Sequence, residues 1–145
     1  MEIDGAEAVV TGASGGLGGA IARALHARGA RVILTARREE SLQKLSTELN
    51  GADVVVCDLT DREQVLGLVT RLAHTDIVVF NAATPGAGRL DDFTPEQLDR
   101  ALDVNLRVPM LMTQQLLPAM LQRRRGHFVY ISSMAGKVPS VRQSV

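Results

Sequence analysis

Short, largely apolar runs alternate with stretches of helical periodicity along most of this 145-residue sequence, and that alternation restricts the fold more than any other feature. Ala6 to Val10 is the first apolar run; Leu17, Ala20, Ile21, Ala24 and Leu25 then repeat at helical spacing up to a stop at Gly29. Arg31 to Thr35 reads as a second strand, Leu42, Leu45 and Leu49 stripe a second helix, and Val54 to Val56 form a third strand. Thr60 and Glu63 stand at capping-box spacing before the helical set Val65, Leu68, Val69 and Leu72. Ile77 to Phe80 is a fourth strand. Thr94-Pro95-Glu96-Gln97 supplies an N-cap, a first-turn proline and a second capping box. The helical pattern after it runs to about Leu121, with Pro109 as the expected kink, and His127 to Ile131 is a fifth strand. A strand that is apolar on both faces has to be covered on both, and the intervening helices can do this only if the strands run parallel.

Length and charge narrow the setting. The chain suits one domain, residues 1–145, and 46% apolar content is enough for a core. Sixteen basic residues against sixteen acidic leave no net charge, so nothing points to nucleic acid; Arg123-Arg124-Arg125 reads as a helix C-terminus answering its dipole. Cys57 is the single cysteine and fits a small buried residue in a reducing compartment. His26, His74 and His127 have no metal-ligand spacing, so no metal is expected. There is no basic leader at Met1 and no apolar run of the ~20 residues that span a bilayer, which makes a soluble, cytoplasmic protein the expectation.

Chemistry begins at "VVTGASGGLGGAI", Val9 to Ile21. A glycine-rich turn between a first strand and a helix aims backbone amides and the positive helix end at an anion. Gly12, Gly16 and Gly18 fit the tight turn, the close approach of a pyrophosphate and the packing of helix on sheet. Together with the five-strand alternation this predicts an α/β, doubly wound parallel sheet of Rossmann type, strands ordered 3-2-1-4-5, with a ligand crevice at the carboxyl ends of strands one and four.

In these residues the chain resembles the short-chain dehydrogenase/reductase family. Thr11 to Gly18 fits T-G-x-x-x-G-x-G; "CDLTD" places Asp58 and Leu59 at the family's adenine contact; "VVFNAA" places Asn81, Ala82 and Ala83 at its N-A-G signature, with Ala83 in place of the usual glycine. The resemblance implies a nicotinamide dinucleotide held by Gly12, Ser14, Gly16, Leu17, Gly18, Asp58, Leu59, Asn81, Ala82 and Ala83. At the end of strand two, where an acid would accept from the adenosine ribose, stand Ala36, Arg37 and Arg38. Guanidinium groups suit a 2′-phosphate, so NADP(H) is preferred over NAD(H).

The same resemblance gives the catalytic assignments. "SMAG" selects Ser133 over Ser132 as the serine that holds a substrate oxygen, and "LDVNL" places Asn105 at the active-site asparagine. The family's proton-transferring tyrosine lies roughly thirteen positions beyond the serine, with a lysine four later, and counting from Ser133 passes Val145. Tyr130 sits within strand five and is followed four residues later by Met134, and Lys137 has the wrong spacing. The expectation is an oxidoreductase interconverting a carbonyl and an alcohol of a small molecule by hydride transfer. The printed 145 residues are expected to bind cofactor without catalysis, and strand five is expected to lie at an uncovered sheet edge, as in a chain cut before its C-terminal strands. Two other readings stay open at this point. One is a non-catalytic dinucleotide-binding module. The other is an epimerase-like nucleotide-sugar enzyme, through the alternative spacing of Gly12, Gly15 and Gly18 and the paired alanines Ala82-Ala83. Finally, Val108, Leu111, Met112, Leu116, Leu117 and Met120 make the helix over about 95–121 more apolar than one sheet contact needs, and the family often pairs this helix in homodimers or homotetramers.

Overall fold

The computed structural model describes residues 2–84 and 86–138. In chain order the elements are β1 (Glu7–Thr11), α1 (Gly16–His26), β2 (Arg31–Ala36), α2 (Glu39–Glu48), β3 (Asp53–Val56), α3 (Arg62–Arg71), β4 (Ile77–Phe80), α4 (Pro95–Leu102), α5 (Val108–Arg123) and β5 (His127–Tyr130). The strands form one sheet, ordered β3-β2-β1-β4-β5, and every pairing is parallel. Val9 stands opposite Ile33 on one side and Val78 on the other, so β1 is the centre of the sheet.

The period of two along β1 sorts the core into halves. Ala8 and Val10 pack with Leu34, Leu42, Leu45 and Ala22 under α1 and α2. Val9 packs with Ile33, Val78 and Phe80 against Val65 and Leu68 of α3 and Val108, Met112, Leu116 and Met120 of α5. Each fully buried aliphatic side chain contributes about 1.5–3 kcal/mol, which is why strands this short hold. The edge strands β3 and β5 are only half-buried along their middles, unlike the wholly buried β4.

Helix starts follow cap chemistry, with one departure from expectation. Thr94 and Gln97 form the reciprocal capping box of α4, with Pro95 in the first turn. At α3 the N-cap is Asp61 rather than Thr60: its carboxylate accepts from the Glu63 N–H at 2.9 Å and the Gln64 N–H at 3.2 Å. A carboxylate there satisfies two orphan amides and also meets the positive helix end, which a hydroxyl does not. Thr60 instead donates its hydroxyl to Asp58 at 2.8 Å.

Between α4 and α5 the chain makes a π-helical turn, Asp103–Arg107, where the Val108 N–H reaches back to the Asp103 carbonyl. The expected kink at Pro109 is this turn, placed just upstream of the proline. Pro109 has no N–H for the carbonyl four residues before it, and the wider turn accommodates that gap. The turn also corrects phase. In an α-helix a four-residue step overshoots a full turn by roughly 40°, so residues 100, 104, 108 and 112 would drift around the rod. The extra residue of the π turn cancels the drift, and Val104, Val108 and Met112 all stay buried.

The arginine run that closes α5 does more than answer a dipole. Arg124 takes the left-handed conformation at φ 53° and the Arg125 N–H donates to the Met120 carbonyl, a Schellman closure. Arg123 donates to the Ala73 and Thr75 carbonyls at 2.8 and 3.1 Å, and Arg125 pairs with Asp76 at 2.9 Å, strapping the end of α5 to the entry of β4. Among the described residues no helix is long and apolar enough to cross a membrane.

Candidate functional site

The carboxyl ends of β1 and β4 are stitched together by two side chains. The Thr11 hydroxyl donates to the Val79 carbonyl at 3.2 Å and accepts from the Asn81 and Ala82 N–H groups, each at 3.0 Å. The Asn81 amide nitrogen donates back to the Thr11 carbonyl at 3.0 Å and the Gly12 carbonyl at 3.3 Å. This closeness is what the glycines permit. Gly12 turns at φ +66°, and a Cβ on it would stand 2.9 Å from the Ala82 Cα. One on Gly18 would run into the Gly12 carbonyl and stand 2.6 Å from the Asn81 amide nitrogen. Gly16 differs: a Cβ there would meet nothing of the protein.

Gly16, Leu17 and Gly18 open α1, so their amides have no intrahelical acceptor. The N-cap is Gly15, no side chain caps the helix, and its first turn holds no acid. These amides face a cavity of about 690 Å³. Gly12, Ser14, Gly16, Leu17 and Gly18 form its floor; Ala36, Arg37 and Arg38 come from the end of β2, Cys57, Asp58 and Leu59 from the end of β3, and Asn81, Ala82, Ala83 and Thr84 from the end of β4. The cofactor residues named from sequence are thus brought together around one space. A ligand with an anionic middle fits it, since the space left open above Gly16 lies against the uncapped amides.

The charges of the cavity are uneven. Three arginines line it, Arg37, Arg38 and Arg100, against one carboxylate, Asp58. Asp58 accepts from the Thr60 N–H at 2.9 Å and from the Thr60 hydroxyl. The Thr60 N–H holds the carboxyl below its usual range, and the neighbouring Arg37 and Arg100 add to that against the opposing effect of burial. Burial, with Asp58 and Asp61 nearby, pushes the Cys57 thiol up to about 11, so it stays a neutral core group at ordinary pH.

The two residues assigned to catalysis stand apart from that lining. Asn105, in the π turn, accepts from the Thr84 N–H at 2.8 Å and donates to the Thr84 carbonyl at 2.9 Å, so both ends of its amide hold the loop after β4. Ser133 is exposed in the segment after β5, where its carbonyl accepts from the Gly136 N–H at 3.1 Å. Tyr130 stacks on Phe80 at 4.9 Å, and its hydroxyl lies 2.6 Å from that of Thr113. Thr113 gives its own proton to the Pro109 carbonyl, which makes Tyr130 the donor of that pair. Among the described residues no His, Cys, Asp or Glu cluster could hold a metal ion.

Sequence reasoning did not name Thr11, Arg100 or Val104 as site residues. Arg100 reaches the cavity from α4 and Val104 from the π turn that follows it, and the only signal available was their i, i+4 spacing just ahead of Asn105.

A parallel sheet reversing order between β1 and β4, with a glycine-rich turn and an uncapped helix at that point, defines a Rossmann-type dinucleotide-binding fold. The model of the short chain dehydrogenase family matches residues 6–145, and the chain belongs to that family. It is 34% identical over 137 residues to a 3-oxoacyl-[acyl-carrier-protein] reductase FabG of Rickettsia conorii, covering 94% of this chain and 57% of that protein. It is 37% identical to the bovine (Bos taurus) dehydrogenase/reductase SDR family member 7B, over 90% of this chain and 44% of that protein. Among solved structures, a metagenomic short-chain oxidoreductase in complex with NADP superposes with a TM-score of 0.89 at 38% identity, covering 99% of this chain and 69% of that one. The chain thus spans only about half the length of these curated relatives.

Proposed function

We propose that this chain binds NADP(H) and serves an oxidoreductase that interconverts a carbonyl and an alcohol on a small molecule. The observation that carries the reading is the joining of an uncapped helix end and two arginines, Arg37 and Arg38, around one cavity, with no acid at the end of β2. The amides of Gly16, Leu17 and Gly18 would take the pyrophosphate, Arg37 and Arg38 with Ser14 the 2′-phosphate, and Asp58 with Leu59 the adenine. Asn81, Ala82 and Ala83 would flank the nicotinamide ribose. When bound, the cofactor supplies or accepts a hydride. Similarity supports this direction: one relative is named as a reductase of a 3-oxoacyl group, and a neighbour of known structure carries NADP.

In this reading the Ser133 hydroxyl hydrogen-bonds the substrate oxygen, and Asn105 positions the loop after β4 through Thr84. A serine hydroxyl is too weak an acid to protonate a developing alkoxide at neutral pH, and Tyr130 is engaged with Thr113. The 145 residues by themselves are therefore expected to bind cofactor and not to turn over ketones. We also assign self-association to the exposed apolar residues Leu102, Leu106, Met110, Leu117 and Leu121 on the rod formed by α4, the π turn and α5.

Fluorescence titration with NADPH and NADH tests the cofactor reading. Arg37→Ala is expected to weaken NADPH by about 1–2 kcal/mol, a partly solvated share of what hydrogen bonds to charged groups contribute, with NADH hardly changed. Equal losses for both would show that Arg37 supports the fold, and a wild-type preference for NADH would overturn the choice of NADP(H).

A further inference from the structure

One charged group in the cavity is left without a role. Arg100 lies on α4 and Val104 four residues on, and both line the cavity, so one face of this rod roofs it. The rod is fixed there by the two hydrogen bonds from Asn105 to the Thr84 backbone. Asp58 stands across from it at the end of β3, anchored by Thr60, and Arg100 acts on its carboxylate from a different part of the chain than Arg37 does. Yet the Arg100 guanidinium forms no ion pair among the described residues. An arginine that lines the same cavity as a carboxylate, acts on its charge and yet makes no ion pair with it leaves room for a flat group between them.

We propose that Arg100 is an adenine-binding residue, its guanidinium closing over the base beside Asp58 and so setting dinucleotide affinity without regard to the 2′-phosphate. The proposal rests on the reading of this cavity as the NADP(H) site. A guanidinium plane stacks on a π face, and the base is the one part of the adenosine end that NADPH and NADH share unchanged. A base seated against Asp58 also strips water from the carboxylate, and a nearby cation offsets that cost. Arg37 and Arg38 would then discriminate between cofactors while Arg100 does not.

The test is a titration of wild type, Arg100→Ala and Arg100→Lys with NADPH, NADH and 5′-AMP, with thermal melts alongside. Arg100 is exposed, so the melting temperature is expected to stay put. Arg100→Ala is expected to weaken all three ligands by the same factor, roughly two- to fivefold, with Arg100→Lys between it and wild type. In an Asp58→Asn background the loss should shrink, since the two groups act on one base. Loss confined to NADPH would make Arg100 a reader of the 2′-phosphate and overturn the proposal. Unchanged binding of all three would overturn it alone, as an arginine that is merely solvated, whereas wild type failing to bind either dinucleotide would overturn it together with the cofactor reading.

Discussion

Gly16 and Gly18 lie two residues apart in one motif, yet the structure gives them different work, and substitution should separate them. Gly18→Ala would drive a methyl group into the Gly12 carbonyl and the Asn81 amide, both fixed by the stitching of β1 to β4. The expected result is a loss of about 1–3 kcal/mol in folding stability by denaturant titration, before any ligand is added. Gly16→Ala meets nothing, and alanine in a helical first turn costs less chain entropy than glycine, so stability should hold or rise by about 0.5–1 kcal/mol. Its methyl occupies ligand space instead, and NADPH affinity should fall by about tenfold or more. Unchanged NADPH affinity in Gly16→Ala would show that the open space above Gly16 is not where the pyrophosphate sits, and a loss of its stability would show that this space is not open. That the glycines of the turn and the arginines after β2 come to one cavity was legible because each is set by a few neighbouring positions. Arg100 was not, because its place depends on the path of α4 over the sheet. Nor was the reach of Thr11, whose partners at Val79, Asn81 and Ala82 are some 70 positions away.

At the scale of elements, cap chemistry read well where one residue type had the choice and badly where two competed. Thr94 stood alone before Pro95 and made its box; Thr60 stood beside Asp61, and the carboxylate took the helix end. The π turn was invisible because its cause is tertiary. It keeps Val108 and Met112 on the sheet while letting Asn105 reach the Thr84 backbone, and only the packed rod shows that both demands fall on consecutive turns. Asn105→Ala would remove both hydrogen bonds to Thr84 at an exposed position, which should cost about 1 kcal/mol of stability by thermal or urea unfolding. Because these two hydrogen bonds tie the loop after β4 to the rod that roofs the cavity, NADPH and NADH should both bind more weakly, by a common factor. Unchanged binding of both cofactors would show that the hold of Asn105 on the loop does not shape the cavity.

For the molecule as a whole, strand order followed from the alternation of apolar runs and helices, since parallel strands with crossovers on both faces admit few arrangements. The apolar surplus of the rod over residues 95–121 was legible too, but not its address. Val108, Met112, Leu116 and Met120 are spent on the core against Val9, Val78 and Phe80. The surface stripe is Leu102, Leu106, Met110, Leu117 and Leu121, each 40–66% exposed, spaced so that they run along one side of the rod. Scattered apolar residues on a surface need no explanation, but a continuous stripe invites a partner. A second copy of this chain is the simplest one, because a two-fold axis across the rod sets the stripe against itself and closes the assembly. Multi-angle light scattering at tens of micromolar should therefore give twice the monomer mass. Leu106→Glu should return the mass to that of a monomer with the melting temperature of the isolated fold, since Leu106 takes no part in the core. The competing route is pairing through β5, which lies at the edge of the sheet with Tyr130 half exposed. Association through that edge would leave a dimer in Leu106→Glu, and a wild type that stays monomeric at these concentrations would remove the stripe from any role in assembly of this chain.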